Sequence, residues 1–156
     1  MTDHSPALSP QDKVRRRAAE ILAERQDQVH ARTDRWFAWL LAAEYVAGIT
    51  LALVVSPRTW VGTTSQLHLH GIAAAVLGAL IVSLPIVLAI RLPGRTITRH
   101  TVAAGQMLMS ALLIHLSGGR IETHFHVFGS LAFLAFYRDW YVLLTATVIV
   151  ALDHFL

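Results

Sequence analysis

The chain has 156 residues, of which 54% are hydrophobic and only 15% are charged. Soluble domains usually carry about 25% charged residues, so this composition favours a protein whose solvent is a lipid bilayer. The absence of cysteine excludes disulfides, thiolate metal sites and thiol catalysis. The net charge of +3 does not indicate nucleic-acid binding, because the arginines lie at the ends of apolar runs rather than across a surface.

The N-terminal part of the chain is polar and precedes the apolar runs. We expect residues 1–9 to be a disordered tail and residues 10–35 to form a cytoplasmic juxtamembrane helix. The sequence Ser9-Pro10-Gln11-Asp12 predicts the start of this helix, with a capping Ser, Pro at the first helical position and an acid three residues after the cap. This helix has a narrow apolar stripe, which leaves three interpretations open. It is a solvated helix, a dimerising coil or a helix on the lipid surface.

Five apolar runs follow, and together they predict an all-α, polytopic membrane helix bundle over residues 36–156. The runs cover residues 36–55, about 70–90, 100–116, about 124–136, and 140–156. Spanning a hydrocarbon core of roughly 30 Å takes about 20 helical residues. The first two runs are therefore long enough to span, and the other three are short.

The distribution of Lys and Arg predicts the orientation. With a cytoplasmic N-terminus, eleven of the thirteen Lys and Arg residues fall inside, and only Arg58 and Arg120 fall outside. We therefore expect a multi-pass protein of the bacterial inner (cytoplasmic) membrane. The aromatic residues that we expect in an inner interfacial belt are Trp36, Tyr137, Trp140 and Tyr141.

The histidines carry the main functional signal. Six of the nine fall on the outer side of the bundle, from four helices: His68, His70, His115, His124, His126 and His154. Counting from the inner interface at about 1.5 Å per residue puts His126 and Glu44 near the bilayer midplane. An acid at that depth costs about 2.5–3.5 kcal/mol on insertion scales, and such residues usually have a function.

Imidazole and carboxylate groups without thiolate predict a site for a transition metal: copper, zinc, iron or manganese. The candidate ligands are His70, His115, Glu122, His124, His126 and His154, with His68, Asp153 and Glu44 as weaker ones. Two alternatives stay open. One is haem held by two axial histidines, which we rank below a metal ion. In the other, the histidines only bond to lipid head groups and to each other. Glu122 and His126 share a helix face by their spacing, whereas His124 and His126 point apart.

Other polar or small residues have structural interpretations. We expect Met107 and Met109 to be packing residues. We expect glycines 71, 78, 105 and 129 to permit close helix approach. Asp139 and Arg138 are adjacent, which predicts a local ion pair at a turn. No residue pattern indicates a catalytic residue, so the chain is more plausibly not an enzyme.

One stretch resembles a known group of proteins. It runs His115-Leu116-Ser117-Gly118-Gly119-Arg120-Ile121-Glu122-Thr123-His124-Phe125-His126, with Leu134-Ala135-Phe136-Tyr137-Arg138-Asp139-Trp140 and Ala151-Leu152-Asp153-His154 further on. It resembles the N-terminal membrane segment of bacterial signalling proteins, in which such segments precede PAS, histidine kinase, diguanylate cyclase or chemoreceptor modules. The match is best over residues 112–156.

The resemblance implies a sensory input domain of about six membrane helices with an extracytoplasmic polar site. It implies His115, Glu122, His124, His126 and His154 as ligand residues. The output module and the returning sixth helix of such proteins are not in this sequence, so we expect either a fragment or a module that acts through a partner.

Three hypotheses follow from these patterns. The first is a membrane sensor with a bound transition metal, whose partners are the lipid bilayer and either a second copy or a signalling protein, but no nucleic acid. The second is a membrane redox protein or oxidase-like enzyme that holds haem or a metal pair in the same cluster. The third, ranked last, is a transporter subunit with Glu44 and His126 on the ion pathway.

Overall fold

The computed structural model describes residues 9–55, 58–61, 64–67 and 69–155, and most of them are helical. The helices are α1 (Pro10–Val55), α2 (Leu69–Arg91), α3 (Thr96–Leu116), α4 (Ile121–Leu134) and α5 (Trp140–Phe155), with a 3₁₀ turn at Ala135–Tyr137 after α4. Strands β1 (Arg58–Val61) and β2 (Thr64–Leu67) pair antiparallel between α1 and α2. The five helices confirm the all-α prediction. Residues 1–8 of the expected tail lie outside the described residues.

Helix α1 begins where the capping sequence predicts. The Ser9 hydroxyl accepts the Asp12 backbone N–H at 3.2 Å and donates to the Asp12 carboxylate at 2.7 Å, so Ser9 caps the helix instead of belonging to the tail. The helix then continues for 46 residues without a break. The charged segment and the first apolar run are therefore one element, about 69 Å long at the usual rise per residue.

Helix α3 is at the centre of the bundle and packs against each of the other four helices. On one side its buried residues pack with α1, α4 and α5 around Tyr137, and on the other they pack with α1 and α2 around Leu41. Met107 and Met109 are buried in these two clusters, which confirms that they are packing residues. Any polar side chain on α3 that points inward is consequently enclosed by other helices.

The outward surface of the bundle is apolar. Leu80 on α2 and Phe128 on α4 are each 67% exposed, and similar side chains cover the outward faces of α1 and α5. Two helical stretches, Pro10–Val54 and Ala74–Arg91, are long and apolar enough to cross a membrane by length and composition, and Trp140–Phe155 is a shorter apolar helix. A continuous apolar exterior of this kind fits a lipid environment.

The predicted aromatic belt is wrong at one position. Trp36, Trp140 and Tyr141 are exposed, but Tyr137 is fully buried. Its ring stacks on Phe37 of α1 with the centroids 5.5 Å apart. The 3₁₀ turn after α4 directs the Tyr137 side chain inward. The belt was predicted from positions along the sequence, which do not tell which way a side chain points.

Gly105 allows α2 and α3 to approach closely. A Cβ atom on Gly105 would lie 2.6 Å from Cγ of Pro85, whereas one on Gly129 would meet nothing within 4 Å. The expectation that glycines permit close approach therefore holds at Gly105 and is wrong at Gly129. Because the rigid proline ring cannot turn aside, we expect Gly105→Ala to lower stability by about 1–3 kcal/mol.

Gly129→Ala is the matched control for this prediction. It adds the same methyl group to an open helical position, where alanine is the better helix former, so stability should stay the same or rise. Thermal unfolding of both variants in detergent measures the difference. Equal midpoints would contradict the close approach of the two helices.

Candidate functional site

A polar cluster lies inside the bundle, where α1, α3 and α4 meet. Gln106 Nε2 donates to Glu44 Oε1 at 2.6 Å and to Ser130 Oγ at 3.0 Å. His126 Nε2 is 3.1 Å from the same Glu44 oxygen. Glu44 is 8% exposed and Gln106 is 0% exposed. We call Glu44, Gln106, Ser110, His126 and Ser130 the core cluster.

The two serines of the core cluster surround the second nitrogen of the imidazole. His126 Nδ1 is 2.8 Å from Ser110 Oγ and 3.3 Å from Ser130 Oγ. Ser110 also donates to the carbonyl oxygen of Gln106 at 2.9 Å. Ser110 gives its single proton to that carbonyl, so its oxygen can only accept at His126 Nδ1, whereas the hydroxyl of Ser130 can donate or accept there.

Two buried oxygens of the core cluster have no hydrogen-bond partner among the described residues. They are Glu44 Oε2 and Gln106 Oε1. A buried polar atom without a partner costs about 1–3 kcal/mol, which is why such atoms are uncommon. A proton, a water molecule or a cation is the kind of group that satisfies a carboxylate oxygen and an amide oxygen. The core cluster is thus chemically suited to one further ligand.

Three predicted ligands lie in helix turns at one end of the bundle: His115 in the last turn of α3, His124 in the first turn of α4 and His154 in the last turn of α5. We call them the rim histidines. In each, Nδ1 is 3.0 Å from the backbone carbonyl oxygen four residues earlier, those of Ala111, Arg120 and Val150 respectively. A carbonyl partner favours the tautomer with the proton on Nδ1, which leaves the Nε2 lone pair free for a metal ion.

Among the rim histidines, His124 and His154 are neighbours. Their ring centroids are 6.1 Å apart, and the carboxylate of Asp153 is 3.8 Å from His154 Nδ1. Two imidazoles on one tetrahedral ion with bonds of about 2 Å have centroids roughly 5 Å apart. The observed separation of the His124 and His154 rings is about 1 Å larger than this.

The remaining predicted ligands are not in contact with the rim histidines among the described contacts. Glu122 is exposed and its carboxylate is 3.6 Å from Arg120, so it shares a helix with His126 but not a site. His124 and His126 do point apart, as their spacing predicts. His70 lies in the first turn of α2, and His68 lies outside the described residues. Within the part of the chain that the structure describes, no three His, Asp or Glu side chains are arranged to hold a metal ion.

A second polar cluster lies near the other end of α4, and the sequence patterns did not reveal it. Asp34 of α1 is fully buried and accepts the Tyr137 hydroxyl and the Gly94 backbone N–H, each at 2.6 Å. Gly94 has φ +83°, a left-handed conformation that favours glycine, and this aims its amide at Asp34.

Arg99 extends this cluster to α5. Its Nε donates to Asp139 at 2.8 Å, so the predicted pair between Asp139 and Arg138 is wrong. His30 Nε2 is 3.1 Å from the carbonyl oxygen of Tyr137, and its Nδ1 is 3.5 Å from Arg99. We call His30, Asp34, Gly94, Arg99, Tyr137 and Asp139 the loop cluster. It fastens α1 to the α2–α3 and α4–α5 connections.

Comparison with known proteins gives one partial similarity. No family model and no solved structure match the chain. Over 84 residues, 54% of the chain, it is 35% identical to the transducer protein Htr8 of Halobacterium salinarum. The matched region spans 12% of the length of that protein, so the chain is similar to a small part of it.

Proposed function

We propose that the chain is a membrane-embedded sensory input module of a signal-transduction protein, and that it binds a transition metal on the extracytoplasmic side. One observation carries the proposal. The contact between His126 and Glu44 joins α4, which bears the rim histidine His124, to α1, which runs unbroken to Pro10. The partial similarity to a transducer protein supports a role in signalling.

The proposed topology has five membrane-spanning helices and a cytoplasmic N-terminus. The apolar exterior of the bundle and the excess of Lys and Arg on one side support it. Helices α4 and α5 are short for a span, with 14 and 16 residues, but the 3₁₀ turn extends α4 and both expose large apolar side chains. The rim histidines then lie on the outer side and the loop cluster on the inner side.

The metal site in this proposal is built on the rim histidines. His115, His124 and His154 offer imidazole Nε2 atoms, and Asp153 offers a carboxylate, which together suit zinc, copper(II), iron or manganese. Glu122 and His70 are at the same end of the bundle and are the reserve ligands. The unpartnered oxygens of Glu44 and Gln106 make the core cluster a second place for a proton or cation.

The proposed signal starts with α4. A metal ion that draws His124 toward His154 shifts the first turn of α4, and His126 lies two residues further along the same short helix. The contact of His126 with Glu44 then differs between the bound and free states, which biases the position of α1. A ligand shifts a conformational equilibrium only through such a difference in affinity for two states.

Metal content tests the first half of this proposal. We expect protein purified without a histidine tag to retain a transition metal, and the double variant His124→Ala/His154→Ala to lose it. His100→Ala is the matched control, because His100 contacts Thr145 at the opposite end of α3. Unchanged metal in the double variant, or metal-free wild-type protein, would contradict the site. A Soret absorption band would favour the redox alternative with haem.

Distance measurements between spin labels test the second half. The natural chain has no cysteine, so labels can be placed at Ala23→Cys on α1 and Thr96→Cys on α3. We expect metal binding to shift this distance in the wild-type background. The variant His126→Ala should keep the metal and lose the shift. If the shift persists without His126, the signal does not pass through the core cluster.

A further inference from the structure

A cavity of about 560 Å³ opens between α1 and the turn that follows α4. Most of its lining is apolar and comes from Val29, Trp36, Phe37, Leu40, Phe133 and Phe136. Thr33 and two cationic side chains, Arg32 and Arg138, make up the rest. A neighbouring cavity shares Arg32 and Trp36 and adds Arg35 and Trp39. We call the first of these the arginine pocket. It combines aromatic walls with positive charge and contains no acidic side chain.

The arginines of the pocket are available to an anion. Both Arg32 and Arg138 are exposed, and neither has an ion-pair partner among the described residues. Asp139, which follows Arg138 in sequence, is engaged by Arg99 at 2.8 Å, and Asp34, two residues after Arg32, is engaged by Tyr137 and Gly94. A guanidinium group binds phosphate through two parallel N–H donors, which makes arginine well suited to this ligand.

The backbone of Arg138 gives an independent observation. Its φ is 53° and its ψ is 30°, the left-handed conformation that glycine or asparagine usually adopts at such a turn. A long cationic side chain at this position is an unfavourable choice for the local fold. Backbone strain of this type clusters at ligand sites.

The depth of the pocket indicates the ligand. The sequence of α1 changes from charged to apolar between Arg35 and Trp36, and tryptophan is enriched at the membrane–water interface. The arginines thus lie at the level of lipid phosphates, and the phenylalanines at the level of the upper acyl chains. Basic pockets between helices at this depth suit anionic lipid head groups.

We propose that the arginine pocket binds an anionic phospholipid, with its phosphate on Arg32 and Arg138 and one acyl chain against Trp36, Phe133 and Phe136. The inference rests on the membrane insertion in the proposed function and is independent of the metal. The bound lipid connects α1 to the turn that contributes Tyr137 and Asp139 to the loop cluster. It therefore adds a lipid-dependent connection at the point where α1 leaves the bilayer.

Quenching of tryptophan fluorescence by brominated lipids tests the proposal. The protein is reconstituted in phosphatidylcholine bilayers that contain either brominated phosphatidylglycerol or the same fraction of brominated phosphatidylcholine. We expect stronger quenching by the anionic lipid, and we expect Trp36→Phe to remove much of the difference. The double variant Arg32→Gln/Arg138→Gln should lose the preference. The variant Arg91→Gln/Arg95→Gln, with the same change in charge at another connection, should keep it.

Arg138→Gly separates ligand binding from folding. Glycine suits the left-handed backbone, so this variant should unfold in phosphatidylcholine at the same temperature as the wild type or higher, yet lose the preference for the anionic lipid. If it keeps the preference, the proposal is overturned. The proposal also fails if the Arg91/Arg95 control loses as much of the lipid preference as the Arg32/Arg138 variant, because that result would indicate general attraction of a basic surface to anionic lipid.

Two further outcomes are distinguishable. If soluble glycerophosphoglycerol abolishes the preference, the pocket binds a free phosphate ester and the lipid assignment is wrong. Quenching by both brominated lipids without a preference overturns the lipid pocket but agrees with membrane insertion. Absence of quenching by either lipid would contradict the proposed function itself.

Discussion

Replacing Asp34 with alanine is expected to lower the free energy of unfolding by about 2–5 kcal/mol, because it leaves two buried donors without an acceptor. The Tyr137 hydroxyl and the Gly94 backbone N–H both bond to this carboxylate at 2.6 Å. Their loss removes the direct bonds of Asp34 to both connections and leaves His30 as the remaining contact of α1 with the carbonyl oxygen of Tyr137. Denaturation in mixed micelles, monitored by tryptophan fluorescence, measures the change.

Asp27→Ala provides the control for this result. Asp27 lies two turns earlier on the same helix and is exposed, so its removal changes the charge equally at little cost. The loss of stability in Asp34→Asn should fall between those of the two alanine variants, since the asparagine amide retains one acceptor oxygen for two donors. A loss in Asp34→Ala no larger than that in Asp27→Ala would show that the loop cluster contributes nothing to stability.

Gln106→Leu is the second change with a large expected effect. The leucine fills most of the space but removes the amide that donates to Glu44 at 2.6 Å and to Ser130 at 3.0 Å. Because Glu44 is left with His126 as its single donor in a buried position, we expect a loss of about 2–4 kcal/mol. The same denaturation assay in micelles measures it.

A control and a double variant sharpen this prediction. Leu108→Ala truncates a side chain on the exposed face of α3 and should cost less, although it removes more apolar volume. Adding Glu44→Leu to Gln106→Leu should recover part of the loss, since removing both partners leaves fewer unsatisfied groups than removing one. Strictly additive losses would contradict the coupling of Glu44 with Gln106.

The sequence predicted those parts of the molecule that depend on a local residue pattern or on the expected depth of a residue in the bilayer. The cap at Ser9 is a local hydrogen-bond arrangement, and it starts α1 where the pattern indicates. Glu44 and His126 were singled out by the cost of ionisable groups inside a membrane, and the structure brings them into contact at 3.1 Å. Neither inference required knowledge of how the helices are rotated against each other.

The parts that the sequence did not predict depend on that rotation. Asp34 and Tyr137 are 103 residues apart, and Gln106 is 62 residues from Glu44. Asp34 looked like one more charge before the first apolar run, and Gln106 is a single neutral residue in a packing helix. A buried neutral amide in the midst of apolar residues was nevertheless a usable signal, because it needs hydrogen-bond partners inside the bundle.

The unbroken α1 has the proportions of an unequal lever. The loop cluster fixes it at Asp34, about 15 Å from Glu44 and about 36 Å from Pro10 at the helical rise per residue. With Asp34 as the fulcrum, a sideways displacement of about 1 Å at Glu44 moves Pro10 by about 2.4 Å in the opposite direction. A change as small as a lengthened hydrogen bond inside the helix bundle thus becomes a shift comparable to the width of an atom at the far end of the helix.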